Sequence, residues 1–311
     1  MEVTELGQAG LFSSVIGLGT AAFAGLHGAV SRHECVRVMD VALHSGITML
    51  DTADFYARGD VERLLGESLE GRRDSVLIAT HGGGRASADG TPVSFDGRPS
   101  YLATACEASL RRLKTDYIDL YYLSRVDPRV PVEESVGKLA ELQAEGKIRY
   151  LGLCEVTADE LRRAHAIQPI SALAVDYSLR DRAAETEVLA VAHELGVGVV
   201  AYCPLARGLL AGVIPPASTQ EHSGLRAIEA EAAALDIGMA RLALAWLSGC
   251  RQVIPVPSSR SPAHLEMNAS AIGIRLSAQV CARLETVFPP QRPGQLGRPS
   301  GDPGSGTTSS T

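Results

Sequence analysis

Thr48-Met49-Leu50-Asp51-Thr52-Ala53-Asp54-Phe55-Tyr56 carries a short apolar run into an acidic residue and, five positions later, a phenol. Two other stretches are built the same way. Val76-Leu77-Ile78-Ala79-Thr80 runs into His81, and Tyr117-Ile118-Asp119-Leu120-Tyr121-Tyr122-Leu123 runs into Ser124. Nearly continuous apolar runs of this length are the mark of strands covered on both faces. Runs of this type begin near Val15, Ile47, Val76, Tyr117, Tyr150, Ile170, Val197 and Val253.

Amphipathic segments with readable ends lie between them. Ser31-Arg32-His33-Glu34 is a capping box that opens a helix stopping before Gly46, and Thr157-Ala158-Asp159-Glu160 is a second. Pro131 suits a first helical position, with Gly146 closing that helix, and Gly71 and Gly196 suit further C-terminal stops. Eight strands, each followed by a helix, predict a single (β/α)8 TIM barrel over residues 1–288. A doubly wound sheet is the rival. It would want a glycine fingerprint after the first strand, and Gly17-Leu18-Gly19-Thr20-Ala21-Ala22 lacks the third glycine. Residues 289–311, rich in Pro, Gly, Ser and Thr, read as a disordered tail.

The bulk numbers exclude several classes. The 311 residues are 45% hydrophobic, enough for a large core. A formal net charge of −7 argues against a nucleic-acid partner, since no basic field holds phosphates. There is no run of 18 apolar residues to span a membrane, and Met1-Glu2-Val3-Thr4-Glu5-Leu6 lacks the regions of a signal peptide. The six cysteines (Cys35, Cys106, Cys154, Cys203, Cys250 and Cys281) show no CxxC spacing. They suit free thiols in a reducing cytoplasm.

Reactive groups in such barrels come from the C-terminal ends of strands. Those ends hold Thr20, Asp51 with Tyr56, His81, Ser124, Cys154 with Glu155, Asp176, Tyr202 with Cys203, and Ser258. The order and spacing resemble the aldo-keto reductases from about Glu5 to Phe288. The pieces that carry the resemblance are Gly17-Leu18-Gly19-Thr20, the Asp51 to Tyr56 segment, Asp116-Tyr117-Ile118-Asp119-Leu120-Tyr121 and Leu151-Gly152-Leu153-Cys154-Glu155. Asp176-Tyr177-Ser178-Leu179, Ala201-Tyr202-Cys203-Pro204-Leu205-Ala206-Arg207-Gly208-Leu209-Leu210 and Val253-Ile254-Pro255-Val256-Pro257-Ser258-Ser259-Arg260 complete the set.

The family's four catalytic stations read Asp, Tyr, Lys and His. By that resemblance they fall here on Asp51, Tyr56, His81 and Ser124, so the Lys is replaced by His and the His by Ser. The resemblance implies that Tyr56 is the proton donor to a carbonyl oxygen. A free phenol has a pKa near ~10, and a neighbouring cation favours its ionised form. His81, beside Asp51, is the cation available at that strand end, and it titrates in a useful range. Ser124 keeps a hydrogen bond for an oxygen but no general-base capacity. Met1 to Ser14 is expected to plug the barrel floor, again by resemblance. The loop from Gly82 to Pro99 is expected to form a mobile substrate lid.

The resemblance also implies NADP(H), with weakened binding. Gly19 and Thr20 match a nicotinamide-side contact, Tyr202 the ring that stacks on nicotinamide, and the segment through Pro204, Leu205, Arg207 and Gly208 a phosphate-side loop. Arg260 fits a 2′-phosphate partner and Asn268 an adenine contact. Against tight binding, Cys154 stands where a carboxamide-holding Ser is expected, next to Glu155, and Ala174 stands where its Gln partner is expected. Ser258 and Ser259 replace a Gly-Thr pair, and Met267 replaces a Glu. The connection from Gly212 to Gly238 is short for a pyrophosphate clamp. No metal site is indicated, because neither HxH nor HExxH spacing occurs. Three readings stay open: an NADP-dependent carbonyl or alcohol oxidoreductase on a small substrate, a redox-neutral acid–base enzyme, and a non-catalytic ligand-binding homologue.

Overall fold

The structure is a computed structural model that describes residues 2–25, 28–86 and 92–291. The expected tail therefore lies, from residue 292 on, outside the described residues. Twelve strands occur among those described. β1 (Val3–Glu5) and β2 (Phe12–Ser14) form an antiparallel hairpin, and β6 (Gly84–Ala86) and β7 (Pro92–Phe95) form another. The other eight are parallel: β3 (Leu18–Gly19), β4 (Met49–Ala53), β5 (Leu77–Gly82), β8 (Ile118–Leu123), β9 (Ile148–Cys154), β10 (Ala172–Asp176), β11 (Gly198–Tyr202) and β12 (Val253–Pro255). Their order follows the chain, β3 through β12, which excludes the doubly wound alternative. The sheet curls shut where Gly17 and Gly19 donate to the carbonyls of Pro255 and Pro257, at 3.0 and 3.1 Å, and Gly19 bridges Ser258. This is a (β/α)8 barrel.

Helices follow the strands as the caps foretell. α1 (Arg32–His44) and α5 (Ala158–Ile167) open on the two complete capping boxes, and α2 (Asp60–Ser68), α3 (Pro99–Leu113), α4 (Val132–Ala144) and α6 (Val188–Glu194) fill the same layer. Pro131 sits one place earlier than expected, as the N-cap of α4. The Gly212 to Gly238 connection holds its own helix, α7 (Thr219–Ala234), capped by the Ser218 hydroxyl on the Glu221 amide. The Ser-x-x-Glu spelling at 218–221 was the signal for it. α8 (Met239–Gly249), α9 (Pro262–Ala269) and α10 (Ala278–Val287) complete the chain.

Alternate strand residues point into the barrel. Met49, Leu77, Ala79, Leu120, Ala172, Ala174, Val200, Ile254 and Val256 form a separate inner cluster, while their neighbours pack outward on the helices. The β1–β2 hairpin closes the floor. Its turn buries Leu6 and Leu11 in the inner cluster, and Leu6 lies so close to Gly198 that a Cβ there would stand 2.5 Å from the leucine. Among the described residues no single helix is long and apolar enough to cross a membrane.

Candidate active site

The inward pattern continues to the C-terminal strand ends and sets the mouth. β4 ends its inward series with Asp51 and Ala53, β5 with His81, β8 with Tyr122 and Ser124, β9 with Cys154, β10 with Asp176 and β11 with Tyr202. Register places His81 opposite Ala53 on one side and Tyr122 on the other. Backbone strain gathers in the same place. Of nine non-glycine residues with positive φ among the described residues, six lie in mouth loops: Ala57 and Arg58 after Tyr56, then Glu155, Cys203, Ala206 and Arg207. Each left-handed non-glycine residue costs on the order of 1–2 kcal/mol, a strain that tertiary context must hold.

Asp51 is 6% exposed. Its Oδ2 is buried without a hydrogen bond, and the nearest cation-forming atom is His81 Nε2 at 3.5 Å. Its main-chain carbonyl accepts from the Thr20 amide at 2.8 Å and the Thr20 hydroxyl at 2.9 Å. Thr20 is fully buried, and its hydroxyl ties the end of β3 to β4. Tyr56 stands at the start of the loop after β4, its ring edge-on to Phe55 at 5.1 Å. Burial drives its phenol pKa well above the ordinary value, and the Asp51 carboxylate pushes the same way, followed by Cys203 and Cys154. The Ser124 amide donates to the Gly82 carbonyl at 2.9 Å, while the Ser124 hydroxyl is buried without a partner. Asp51, Tyr56, His81 and Ser124 thus lie together at one end of the barrel. Tyr122 joins them, with its ring stacked on His81 at 4.3 Å and 17° between planes.

The opposite half of the mouth is knitted to itself. Tyr202 Oη donates to Glu155 Oε1 at 2.7 Å, and the Asp176 amide donates to the same oxygen at 2.7 Å. Arg125, the residue after Ser124, reaches Glu155 at 3.4 Å. Arg207 pairs with Asp176 Oδ2 at 2.7 Å, leaving Asp176 Oδ1 buried without a hydrogen bond. Burial raises the Asp176 carboxyl to about 7 against the opposing pull of Arg207. Cys154 is buried and its thiol is pushed well up by desolvation, then by Glu155. Arg260 lies at the rim, donating to the Ala29 carbonyl at 3.3 Å, and Asn268 is buried in α9. Pro204, Leu205 and Gly208 shape the bend after β11, with Gly208 at φ 102. Ser258 sits on the closing seam beside Gly19.

The β6–β7 hairpin occupies the stretch where the sequence leads one to expect a lid, and residues 87–91 lie outside the described residues. Its base is held by buried Asp96 and Asp127, which pair with Arg98 and Arg129. None of the six cysteines forms a disulfide. Among the described residues, no group of three His, Cys, Asp or Glu side chains is placed to hold a metal ion. Arg125 and Tyr122 escaped the sequence reading. Arg125 follows Ser124 directly and Tyr122 precedes it by two, and nothing local in the sequence tells that one meets Glu155 and the other His81.

Residues 15–288 match the profile of the Aldo/keto reductase family. The chain is 36% identical over 298 residues to probable aldo-keto reductase 1 of Glycine max, covering 89% of this chain and 86% of that one. It superposes on an aldo-keto reductase of Bacillus halodurans in its holo form with a TM-score of 0.83 at 28% identity, over 95% of this chain and 99% of the other. An aldo-keto reductase of Klebsiella pneumoniae in complex with NADPH gives a TM-score of 0.77 at 30% identity, over 94% and 96%. The chain belongs to the aldo/keto reductase family.

Proposed function

We propose that this member of the aldo/keto reductase family is an NADPH-dependent carbonyl reductase or alcohol dehydrogenase whose proton-transfer site is Asp51, Tyr56, His81 and Ser124. One observation supports it above others: His81 stands 3.5 Å from the buried Asp51 carboxylate, whose charge also reaches the buried Tyr56 phenol, at the barrel end where such folds do chemistry. Residues that would hold NADP(H) are Gly19, Cys154, Glu155, Tyr202, Pro204, Leu205, Arg207, Gly208, Ser258, Arg260 and Asn268. Their fit is partial. The buried, unpartnered Asp176 Oδ1 and the Tyr202 ring supply an acceptor and a stacking face, whereas the Glu155 carboxylate and Arg207 guanidinium are already spent on protein partners. NADPH, when bound, supplies the hydride.

The chain's own groups handle the proton. A phenol held far above its ordinary pKa is a poor acid at neutral pH, and a cation beside it corrects this. His81 becomes that cation when Asp51 stabilises its protonated ring, and Tyr56 then delivers its proton to the developing alkoxide. The unpartnered Ser124 hydroxyl donates to the same oxygen. Cofactor binding in this reading is weakened, because Cys154 donates a poorer hydrogen bond than Ser and each lost amide contact costs roughly 0.5–1.5 kcal/mol. Six cysteines without a disulfide among them suit a cytoplasmic setting.

The direct test is titration of the protein with NADPH and NADH by nicotinamide fluorescence, followed by NADPH oxidation with a panel of small aldehydes. Saturable NADPH binding with turnover that vanishes in Tyr56→Phe supports the reading. A redox-neutral acid–base reaction is the second reading, and the self-paired Glu155, Asp176, Arg125 and Arg207 favour it. It predicts conversion of an added substrate with no change in NADPH absorbance.

A further inference from the structure

We propose that Tyr122 is a positioning residue that holds His81 in its protonated form and in a fixed plane. The inference rests on the reading in which His81 acts as the cation beside Tyr56. The two rings lie face to face, 4.3 Å apart and 17° from parallel. That places the electron-rich face of a phenol under the imidazole, where a positive charge on the ring is stabilised by the quadrupole. A neutral imidazole gains only the stacking.

The slot for this ring is built in. Tyr122 is fully buried, and on its other side Gly152 gives way to it. A Cβ on Gly152 would lie 2.3 and 2.4 Å from two carbons of the phenol ring, so any larger residue there would push Tyr122 out of its slot. β-Sheet register puts His81, Tyr122 and Gly152 in one row across β5, β8 and β9. The hydroxyl is not what holds the ring, because Tyr122 Oη is buried without a hydrogen-bond partner.

The other titratable groups at this level are Asp51 on β4, Tyr56 on the loop after it, Cys154 on β9 and Cys203 after β11. Burial holds the Tyr56 phenol and the Cys154 thiol in their neutral forms, so they add no charge, and Asp51 attracts the proton from 3.5 Å without a hydrogen bond. The imidazole thus stops short of a direct hydrogen bond to the carboxylate. The ring below offsets the distance, supplying from one face what the loose ion pair leaves undone on the edge.

The test is an NMR titration of the His81 ring protons, assigned by their loss in His81→Gln, in the unmodified protein and three variants. Tyr122→Phe keeps the ring and drops the hydroxyl. Tyr122→Leu drops the ring. Tyr122→pentafluorophenylalanine keeps the shape and inverts the quadrupole, so it stays informative if the leucine variant does not fold. Relative to Tyr122→Phe, the leucine and pentafluoro variants are expected to show a ratio of protonated to neutral His81 about 3- to 10-fold lower at a given pH, the size of a partly buried cation–π contact. Tyr122→Phe is expected to stay within about 2-fold of the unmodified protein. A pentafluoro variant that titrates like Tyr122→Phe overturns the proposal, as does a Tyr122→Phe shift as large as the leucine one. The titration needs neither cofactor nor turnover. Absence of NADPH-linked activity would therefore remove the reductase reading while leaving this comparison to stand or fall by itself.

Discussion

The two halves of the barrel mouth treat their polar groups in opposite ways. On the β4, β5 and β8 side, Asp51 Oδ2, Tyr122 Oη and Ser124 Oγ are buried and unpartnered. On the β9, β10 and β11 side, Glu155 accepts from Tyr202 and from the Asp176 amide, and Asp176 binds Arg207. Buried polar atoms that no partner meets cost roughly 1–3 kcal/mol each, so the first half offers hydrogen-bonding capacity that no protein group takes up. The second half is largely self-paired, Asp176 Oδ1 excepted. A ligand entering the first half meets groups with no protein partner, whereas one entering the second must compete with existing ion pairs.

The largest way to break this contrast is Tyr56→Phe. If the first half does the chemistry, turnover should fall by about 10²–10⁴-fold, with NADPH affinity held within a small factor. Steady-state rates and fluorescence titration on one preparation check both. Unchanged turnover would remove the first half from the reaction altogether. Next in size is Arg260→Ala, which should lower NADPH affinity by roughly 10–100-fold and leave NADH nearly untouched, erasing the preference. Equal affinities in the unmodified protein would count against Arg260 as a phosphate partner.

Cys154→Ser sharpens the comparison from the other side. It returns a full hydrogen-bond donor to the carboxamide position and should tighten NADPH by up to about 10-fold. No change would mean that Glu155, and not Cys154, limits the second half. His81→Lys puts a permanent cation on the first half. The alkaline limb of the rate profile should move toward the pH range in which a lysine loses its proton, since an imidazolium is lost far earlier. A profile of unchanged shape would mean that the charge at residue 81 does not govern the phenol.

The last prediction concerns stability and leaves activity aside. Burial raises the folded Asp176 carboxyl to about 7, above an unfolded value near ~3.9. The unfolded chain releases its proton first, so this group's stabilising share is complete below about pH 4 and is lost as pH rises toward 7, on the order of 2–4 kcal/mol in all. Asp176→Asn should flatten the decline of Tm between pH 5 and 7.5. An equal slope in both proteins would show that Arg207 keeps the carboxylate charged in the fold.

Much of the fold could be read before any coordinates, because its signals are local. Capping boxes at Ser31 and Thr157 and apolar runs ending in polar residues need only nearby neighbours to act. The four strand-end groups of the first half were legible for the same reason. What stayed hidden depends on register and on side-chain direction across strands. That His81 lies on Tyr122 follows from β5 pairing with β8 at one offset, and a slip of one residue would put Leu123 there and turn Tyr122 outward. The Arg207–Asp176 pair joins residues 31 apart, through a bend with two left-handed residues in a row at 206 and 207. Helix α7 was missed although its cap was spelled out at 218–221, because its apolar face is only Ile228, Ala232 and a glycine.

The seam that closes the barrel has a consequence for dynamics. The main-chain groups that β12 and the residue after next turn toward β3 belong to Pro255 and Pro257, which have carbonyls but no N–H. Pro257 has no N–H to answer the Gly17 carbonyl, whereas the Gly19–Ser258 bridge carries the pairing past it. The joint is therefore short of ladder bonds where the first and last barrel strands meet. The Gly17 and Gly19 amides should exchange with deuterated solvent faster than those of β5 or β8, whose ladders are complete. Gly19 flanks this joint on one side, with Ser258 and Arg260 on the other. A dinucleotide lying across them would act as an external clasp, and slowed exchange at those two glycines would report its arrival even where its spectrum changes little.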